Sequence, residues 1–493
     1  SASAAEGVRI IVTAKSLNAD GIAGKMVASL LTNQDGSKSP NTERWLLAKD
    51  KVRFVGEPVA MIFADSLIQA RAAAEMIMFE VEDLPVHLDI KPGGEQLHYN
   101  APENIAFDWA LGDAAEIAAI NANATHVLSF DVSDNRIICN SMEPRGCWAD
   151  TEDERLHLCV NGQGVWAQKS QLSKILNLPE SEIRVTNPDV GGGFGMKAMT
   201  YPEYFIVAHV ARVLGRPVRW MSDRSEAMVS DNSGRDLVST ATLAFDEGLK
   251  IISYQVQTFA NMGAYSSQFA QPIQTQLFSK VLTGIYDIPA AHLQVTGIYT
   301  NTTQVDAYRG AGRPEAIYVL ERAVDYAARA LGVDPIELRR KNFIPNESFP
   351  YDTATGVTYD VGDFNKVLDT VIEKCGLDSF AERRAQSETQ GRLRGLGLCC
   401  YIESILGDPT ETSRICFNEN GSVDLYVGTQ SNGQGHETVY AQYLADQVGI
   451  PFSLINVIQG DSDKIPTGGG TGGSRSTTVQ NSATLALVGA TIE

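Results

Sequence analysis

Asn187-Pro188-Asp189-Val190-Gly191-Gly192-Gly193-Phe194-Gly195-Met196-Lys197 is the stretch that organises the chain. Three consecutive glycines, one aromatic and a fourth glycine leave the backbone bare. Glycine reaches positive φ and carries no Cβ, so a large ligand can lie against the main chain and use its N–H groups. A helical pattern from about Tyr201 aims a helix N-terminus at the same place. Taken alone, the run reads first as a plain glycine-rich turn, because short glycine motifs are weak signals.

A second stretch follows the plan of the first. Leu158-Cys159-Val160-Asn161-Gly162-Gln163-Gly164 leads to a helix, to Leu178-Pro179, to a strand Ile183-Arg184-Val185 and then to the glycine run. Leu425-Tyr426-Val427-Gly428-Thr429-Gln430-Ser431-Asn432-Gly433-Gln434-Gly435 leads to a helix, to Ile450-Pro451, to a strand near Leu454-Ile455-Asn456-Val457 and then to Gly468-Gly469-Gly470-Thr471-Gly472-Gly473-Ser474-Arg475-Ser476. Self-similarity outweighs any single motif. It predicts two related domains that clamp one large ligand. Ser474 and Arg475 beside glycines suit a phosphate, offering a hydroxyl, a guanidinium and backbone N–H groups.

Composition bounds the class. With 493 residues, about three domains are expected at roughly 150 residues each. The net charge of −20 disfavours nucleic acid and anionic membrane surfaces as partners, since both need basic patches. No apolar run of about 18 residues is present, so no membrane span is expected. Cys139, Cys147, Cys159, Cys375, Cys399, Cys400 and Cys416 form no C-x-x-C pair and no ferredoxin-like spacing. They read as reduced thiols of a cytoplasmic protein, without an iron–sulfur cluster of the chain's own. Both ends look cut: Ser1-Ala2-Ser3 runs quickly into strand-like Val8–Val12, and Glu493 falls inside a helical pattern.

Residues 1–91 read as a small α/β unit, with a strand in Val59–Phe63, a helix from Ser66 to Met78 and a strand at Phe79–Glu82. Residues 92–105, rich in Gly, Pro and Asn, read as a linker. A second domain is assigned to 106–345, with strands near 125–133, 156–160, 183–187 and 237–245. Its helices are expected near 166–176, 201–214 and 314–331. The last has Pro314 at its start, apolar Ile317, Leu320, Val324 and Leu331 at helical spacing, and Gly332 as a stop. A third domain is assigned to 346–493, with a strand at Ser422–Val427, a helix from about Glu437 to Val448 and a strand near 453–458.

With both loops in hand, the chain resembles the molybdopterin-binding large subunit of the xanthine dehydrogenase and aldehyde oxidase family, and most of all aerobic carbon monoxide dehydrogenase large subunits. The resemblance rests on Gly191–Lys197, on Asp306-Ala307-Tyr308-Arg309-Gly310-Ala311-Gly312-Arg313-Pro314-Glu315-Ala316, on Gly433-Gln434-Gly435, on Thr471–Ser476 and on Met142-Glu143-Pro144-Arg145-Gly146. It covers nearly the whole chain, in order. It implies an α+β fold: a shortened α/β hammerhead-like domain, then two related elongated molybdopterin-binding domains, the second incomplete.

The resemblance also implies a cofactor, a molybdopterin in its cytosine dinucleotide form carrying molybdenum. The metal is held by the pterin dithiolene, so no protein metal ligands are expected. Gln163 matches a glutamine that hydrogen-bonds an oxygen ligand of the metal. Gly193, Phe194 and Gly195 would lie beside the metal, and Arg309 beside substrate or cofactor. Gln434 and Gly435 would hold the pterin, and Gly472, Gly473, Ser474 and Arg475 its phosphates. The implied catalytic set is Gln163, Phe194 and Arg309. Iron–sulfur and FAD subunits are the implied partners, in a dimer of heterotrimers. The implied activity is hydroxylation of an aldehyde or N-heteroaromatic carbon, with water as oxygen donor.

Three departures qualify that picture. The family's catalytic glutamate is expected beyond Glu493, so the chain reads as a piece of a longer subunit or as the cofactor-binding half of a split one. Gly310 stands where copper-dependent members carry cysteine, which weakens carbon monoxide as substrate; a copper-free variant is the alternative. Ala198 stands where purine-oxidising members carry glutamate, which argues against xanthine. A nucleotide phosphotransferase is disfavoured, because no G-x-x-x-x-G-K-[ST] is present. On the residues alone, Gln163 is equally well read as a helix cap, Lys197 as a satisfied packing or surface lysine, and His436 as structural. Glu143 and Arg145 are expected to pair with each other or to fix a loop. Asp461 and Asp463 read as a turn.

Overall fold

A computed structural model describes residues 2–22, 24–152 and 155–492. Ser1 and Glu493, the ends expected to look cut, lie outside the described residues. The first unit pairs Val8–Thr13 antiparallel with Ala60–Ala64 and packs the helix Leu67–Glu75 beside them. Ser66 caps that helix, its hydroxyl accepting from the Gln69 N–H. The strand expected at Phe79–Glu82 is absent, and Phe79 and Val81 are exposed. The described sheet here has two strands only. Strand propensity without a neighbour to share hydrogen bonds does not make a strand. Residues 92–105 lie docked on the next unit. The Asn104 amide donates to the Gly93 and Glu95 carbonyls, and Ala101 is fully buried.

The middle of the chain builds two sheets. The larger runs in the order Ile105–Leu111, Ala291–Tyr299, Ile251–Gly263, Leu237–Phe245, His126–Asp134, and all its pairs are antiparallel except that of Ile251–Gly263 with Ala291–Tyr299. The helix Arg313–Leu331 lays Ile317, Leu320 and Val324 against it, as their spacing requires, and Gly332 ends the helix in a left-handed turn at φ +67°. The smaller sheet runs Ile183–Thr186, Arg155–Val160, Gly146–Glu152, Val218–Met221. The helices Trp166–Leu176 and Pro202–Leu214 share one core with it.

The repeat is a structural repeat. In the first copy, Gly146–Glu152 pairs antiparallel with Arg155–Val160, the chain crosses through Trp166–Leu176, and Ile183–Thr186 returns parallel to Arg155–Val160. In the second, Ser413–Phe417, Val423–Val427, the helix His436–Val448 and Ile455–Ile458 repeat that order and those directions. A helix follows each glycine loop, Pro202–Leu214 in one copy and Ser476–Ile492 in the other.

The copies are stitched edge to edge. Thr186 bridges Asp461, the Ser462 N–H donates to the Val185 carbonyl at 3.0 Å, and the Asn187 N–H to the Gly460 carbonyl at 2.7 Å. Arg184 pairs with Asp461 at 2.8 Å and Arg155 with Asp463 at 2.8 Å. The turn read at Asp461–Asp463 is therefore the seam that delivers Gly468–Ser476 to the first copy.

Leu425 sits fully buried at the centre of the second copy's sheet, while Leu485 is half exposed. Leu425→Ala is expected to lower unfolding stability by about 2–5 kcal/mol. Leu485→Ala should change it by less than about 0.5 kcal/mol. Equilibrium denaturation of both variants checks this; equal effects would mean that the second copy has no core of its own.

Candidate functional site

The first glycine loop is a strained, tightly backed turn. Gly192 and Gly195 have φ of +90° and +100°, and between them Phe194 holds φ +54°. A Cβ on Gly195 would lie 2.8 Å from the Ala307 carbonyl oxygen, so that position admits only glycine. A left-handed aromatic costs about 1–2 kcal/mol and persists where its surroundings fix it. Here the Arg309 N–H donates to the Phe194 carbonyl at 2.8 Å, and the Gly195 N–H donates to Gln163 Oε1 at 2.8 Å.

The structure thus brings Gln163, Phe194 and Arg309 together. Arg309's own carbonyl accepts from Arg235 at 2.7 Å, and Arg235 is held by Glu315 at 3.1 Å. The backbone of Arg309 is fixed from both sides. Its guanidinium lies 5.0 Å from the Phe194 ring centroid and makes no hydrogen bond or ion pair among the described residues. Both side chains are exposed. Just ahead, Asp306 is buried without a cationic partner and binds the N–H groups of Ala307 at 2.7 Å and Gln268 at 3.0 Å. Burial pushes its carboxyl up to about 6.

The second loop closes over the first. The Thr471 N–H donates to the Gln163 carbonyl at 2.6 Å, and Gln163 Nε2 donates to the Thr471 carbonyl at 2.9 Å. Asn432 reaches across as well: its carbonyl accepts from the Gly192 N–H at 3.1 Å, and its Nδ2 donates to the Gly162 carbonyl at 3.0 Å. Gln163 is therefore a cross-brace with one N–H to spare rather than a free amide. Gln434 folds onto its own turn, Oε1 accepting from the Asn432 N–H at 2.6 Å and Nε2 lying 3.0 Å from His436 Nε2. Gly435, at φ +76°, starts the following helix. Ser474 is left-handed at φ +56°, and Arg475 lies 3.5 Å from Asp408.

Beneath the loops sits a buried charge cluster in which, of the two expectations for Glu143 and Arg145, mutual pairing fails and the fixing of a loop holds. Glu143 and Arg145 do not pair with each other: the chain bends at Met142–Glu143, and each side chain finds its own partners. Arg145 is fully buried and binds Asp231 at 2.5 Å and Glu203 at 3.0 Å, its guanidinium 3.7 Å from the Tyr201 ring centroid. Glu143 instead meets Lys197, whose side chain is fully buried, at 2.9 Å. Asp408 carried no signal in sequence, and Asn432 and Thr471 were marked only as members of the repeated turns, without a role of their own.

The residues fit a large, phosphate-bearing ligand. Gln430 Oε1, Asn432 Oδ1, His436 Nδ1 and Arg475 Nε are buried polar atoms without partners among the described residues, on the second copy's loops and at the start of its helix His436–Val448. Such atoms are expensive to leave unsatisfied. A Cβ on Gly472 would meet nothing within 4 Å, so the loop is open on that side. Among the described residues no group of three or more His, Cys, Asp or Glu could hold a metal ion.

Residues 97–343 match the family described as Molybdopterin cofactor-binding domain, residues 370–492 match a second such domain, and residues 1–85 match the Aldehyde oxidase and xanthine dehydrogenase, a/b hammerhead domain. The chain belongs to this molybdopterin-binding family of aldehyde oxidases and xanthine dehydrogenases. It is 35% identical to the carbon monoxide dehydrogenase large chain of Hydrogenophaga pseudoflava, covering 89% of this chain and 59% of that one. It is 34% identical to the nicotine 6-hydroxylase large subunit of Paenarthrobacter nicotinovorans, covering 88% and 55%. The solved Cu,Mo-CO dehydrogenase superposes with a TM-score of 0.89 at 31% identity, covering 98% of this chain and 64% of that one. The chain thus spans somewhat over half the length of these relatives. The hammerhead unit and the two molybdopterin-binding domains expected from the motifs are the fold. Among the described residues no helix is long and apolar enough to cross a membrane.

His436 lies at the start of the helix behind the Gln434 turn, 2% exposed. Burial, partly opposed by the Gln459 side chain, pushes its imidazole down to about 4. An unfolded histidine titrates near about 6.5, so the unfolded chain takes up this proton first. The contribution of neutral His436 is present above pH about 6.5 and is lost as pH falls towards about 4. Relative to the parent, His436→Gln should therefore gain stability over that window. Denaturation curves that stay parallel from pH 7.5 to 4 would contradict the burial of a neutral imidazole.

Proposed function

We propose that the chain is the molybdopterin-binding part of the large subunit of a molybdenum hydroxylase acting on an N-heteroaromatic or aldehyde carbon, with water as oxygen donor. The observation that carries the reading is the Phe194–Arg309 pair. An exposed aromatic and a guanidinium without an ion pair among the described residues stand on backbone fixed from both sides, at the mouth of the two-loop clamp. The ring offers a stacking surface for a flat substrate. The guanidinium offers donors where negative charge develops on a substrate oxygen or nitrogen, without reorganisation at that moment.

Gln163, Gly193, Phe194 and Gly195 would form the metal side of the clamp, with Gln163 placing its spare N–H towards the cofactor. Gln434 and Gly435 would flank the pterin. Gly472, Gly473, Ser474 and Arg475 would take its phosphates, Arg475 exchanging Asp408 for the phosphate. When bound, molybdopterin supplies Lewis-acid and two-electron redox chemistry. This chain's residues bind it, orient the substrate and stabilise charge. We assign the cofactor as the cytosine dinucleotide form. Iron–sulfur and FAD subunits would carry the electrons away, in a dimer of heterotrimers in the cytoplasm. The general base would be a glutamate outside this sequence, and a split large subunit, with the base on a second polypeptide, is the alternative arrangement.

A specific observation favours this over carbon monoxide oxidation through a copper thiolate. Gly310, at the position of the copper-binding cysteine in that resemblance, has φ +90°, and a Cβ there would lie 2.4 Å from Pro314. The loop has no place for a cysteine. In the partner-bound full-length protein, molybdenum and a phosphate-bearing pterin are expected by elemental and mass analysis. Arg309→Met should retain both and lose about 10²–10³-fold in kcat/KM on the best of a panel of N-heteroaromatics and aldehydes. A preparation without molybdenum, or an Arg309→Met variant with undiminished kcat/KM, overturns the proposal.

A further inference from the structure

The strain at Phe194 raises the question of what holds the outer arc of the loop. Arg309 and Gln163 grip it at Phe194 and Gly195. The two ends of the arc, Gly191 and Lys197, are held by one atom. Glu143 Oε2 accepts from the Gly191 N–H at 2.8 Å and from Lys197 Nζ at 2.9 Å. The Glu143 N–H also donates to the Gly191 carbonyl at 3.2 Å. A Cβ on Gly191 would lie 2.6 Å from the Glu143 Cβ, so the two backbones sit as close as a glycine permits.

The chemistry of the pair is that of a fixed staple. The Lys197 side chain is fully buried and that of Glu143 one-third exposed. Burial pulls the lysine down, and the Glu143 carboxylate works against it. Burial pushes the glutamate up, but the Gly191 N–H and the Lys197 ammonium outweigh it and leave its carboxyl below the ordinary range. Charge-assisted bonds of this kind are the stronger class. Elsewhere in the cluster, Arg145 already has two carboxylates, Asp231 and Glu203, and Arg224 is occupied by the carbonyls of Ser141 and Met142 at 2.7 and 2.9 Å. Lys197 is the cation that reaches the ends of the loop.

We propose that Glu143 and Lys197 are a positioning pair, joining both ends of the Gly191–Lys197 arc through one carboxylate oxygen and so holding Phe194 in its left-handed conformation against Arg309. The inference rests on the reading of this loop as the metal side of the clamp. Neither residue touches the substrate. Their effect is transmitted through the backbone of the loop, where a displacement of about 1 Å costs as much as 10²-fold in rate. The Met142–Gly146 strap thereby acquires a role: it presents Glu143 to the loop while Arg145 anchors the strap from below.

The test uses the full-length protein in its complex. Peptide-level hydrogen exchange is compared for the parent, Lys197→Met, Glu143→Gln and the conservative Lys197→Arg. Exchange over 191–197 should accelerate about tenfold or more in Lys197→Met and Glu143→Gln, with the helix Pro202–Leu214 unchanged. Lys197→Arg should restore the parent rate. In turnover, kcat should fall about tenfold or more while KM stays within about threefold and molybdenum content is kept. Glu143→Gln keeps the volume and an acceptor for Gly191, and carries the comparison if Lys197→Met does not assemble. Unchanged exchange over 191–197 overturns the staple, and so does an acceleration spread evenly over the whole domain. Exchange needs no substrate, so failure of the hydroxylase reading shows instead as a complex without molybdenum and with the exchange pattern intact.

Discussion

Between Gly164 and Gly470 two backbones far apart in the chain come so close that neither can carry a side chain. A Cβ on Gly164 would lie 2.8 Å from the Gly470 Cα, and one on Gly470 would lie 2.4 Å from the Gln163 carbonyl oxygen. At this crossing Gln163 and Thr471 exchange two hydrogen bonds, one through backbone groups alone and one through the glutamine amide. Everything at the site depends on this contact. It sets the distance between the copies of the repeat, orients Gln163 towards Gly195, and leaves an open face lined by the unpartnered atoms of the second copy. Gly164 is used here for closeness alone, while Gly470, Gly195 and Gly310 combine close approach with a positive φ.

The repeat also explains how two small sheets make one binding surface. Each copy ends its last strand in a glycine loop followed by a helix. Ligands of open α/β units collect at the carboxyl ends of strands, where backbone N–H groups point outwards. Joining the copies along the Ile183–Thr186 edge, through Thr186 and Asp461, places both such ends at one cleft. Arg184 and Arg155 secure the seam with carboxylates from the other copy. A strand edge that would otherwise be free is thereby covered.

Much of this was legible in the sequence, and for physical reasons. Helices with a start signal, a stop signal and a regular apolar face, such as Arg313–Leu331, announce themselves locally. So do glycine loops in register with a repeat, which is why the Gly191–Lys197 and Thr471–Ser476 turns could be singled out, while Gln163, Phe194 and Arg309 were picked out through the resemblance those motifs carry. What stayed hidden depends on partners far along the chain. Phe79–Glu82 has the composition of a strand, yet no strand in the described structure takes it up. Glu143 and Arg145 sit two residues apart and look like a pair, but the strap bends at Met142–Glu143, and one side chain meets Lys197 while the other meets Asp231 and Glu203. The Asp408 contact of Arg475 joins residues 67 apart, and no local pattern marks it.

The central claim is that one ligand lies between both glycine loops. A high-resolution structure of the full-length, partner-bound protein carrying its cofactor tests it most directly. The account predicts pterin density that runs from Phe194-Gly195 at one end to Gly472–Arg475 at the other, with the Gln163–Thr471 bonds intact and Arg475 turned from Asp408 to phosphate. A ligand that contacts the loops of one copy only, or that leaves the Arg475–Asp408 pair in place, would contradict it.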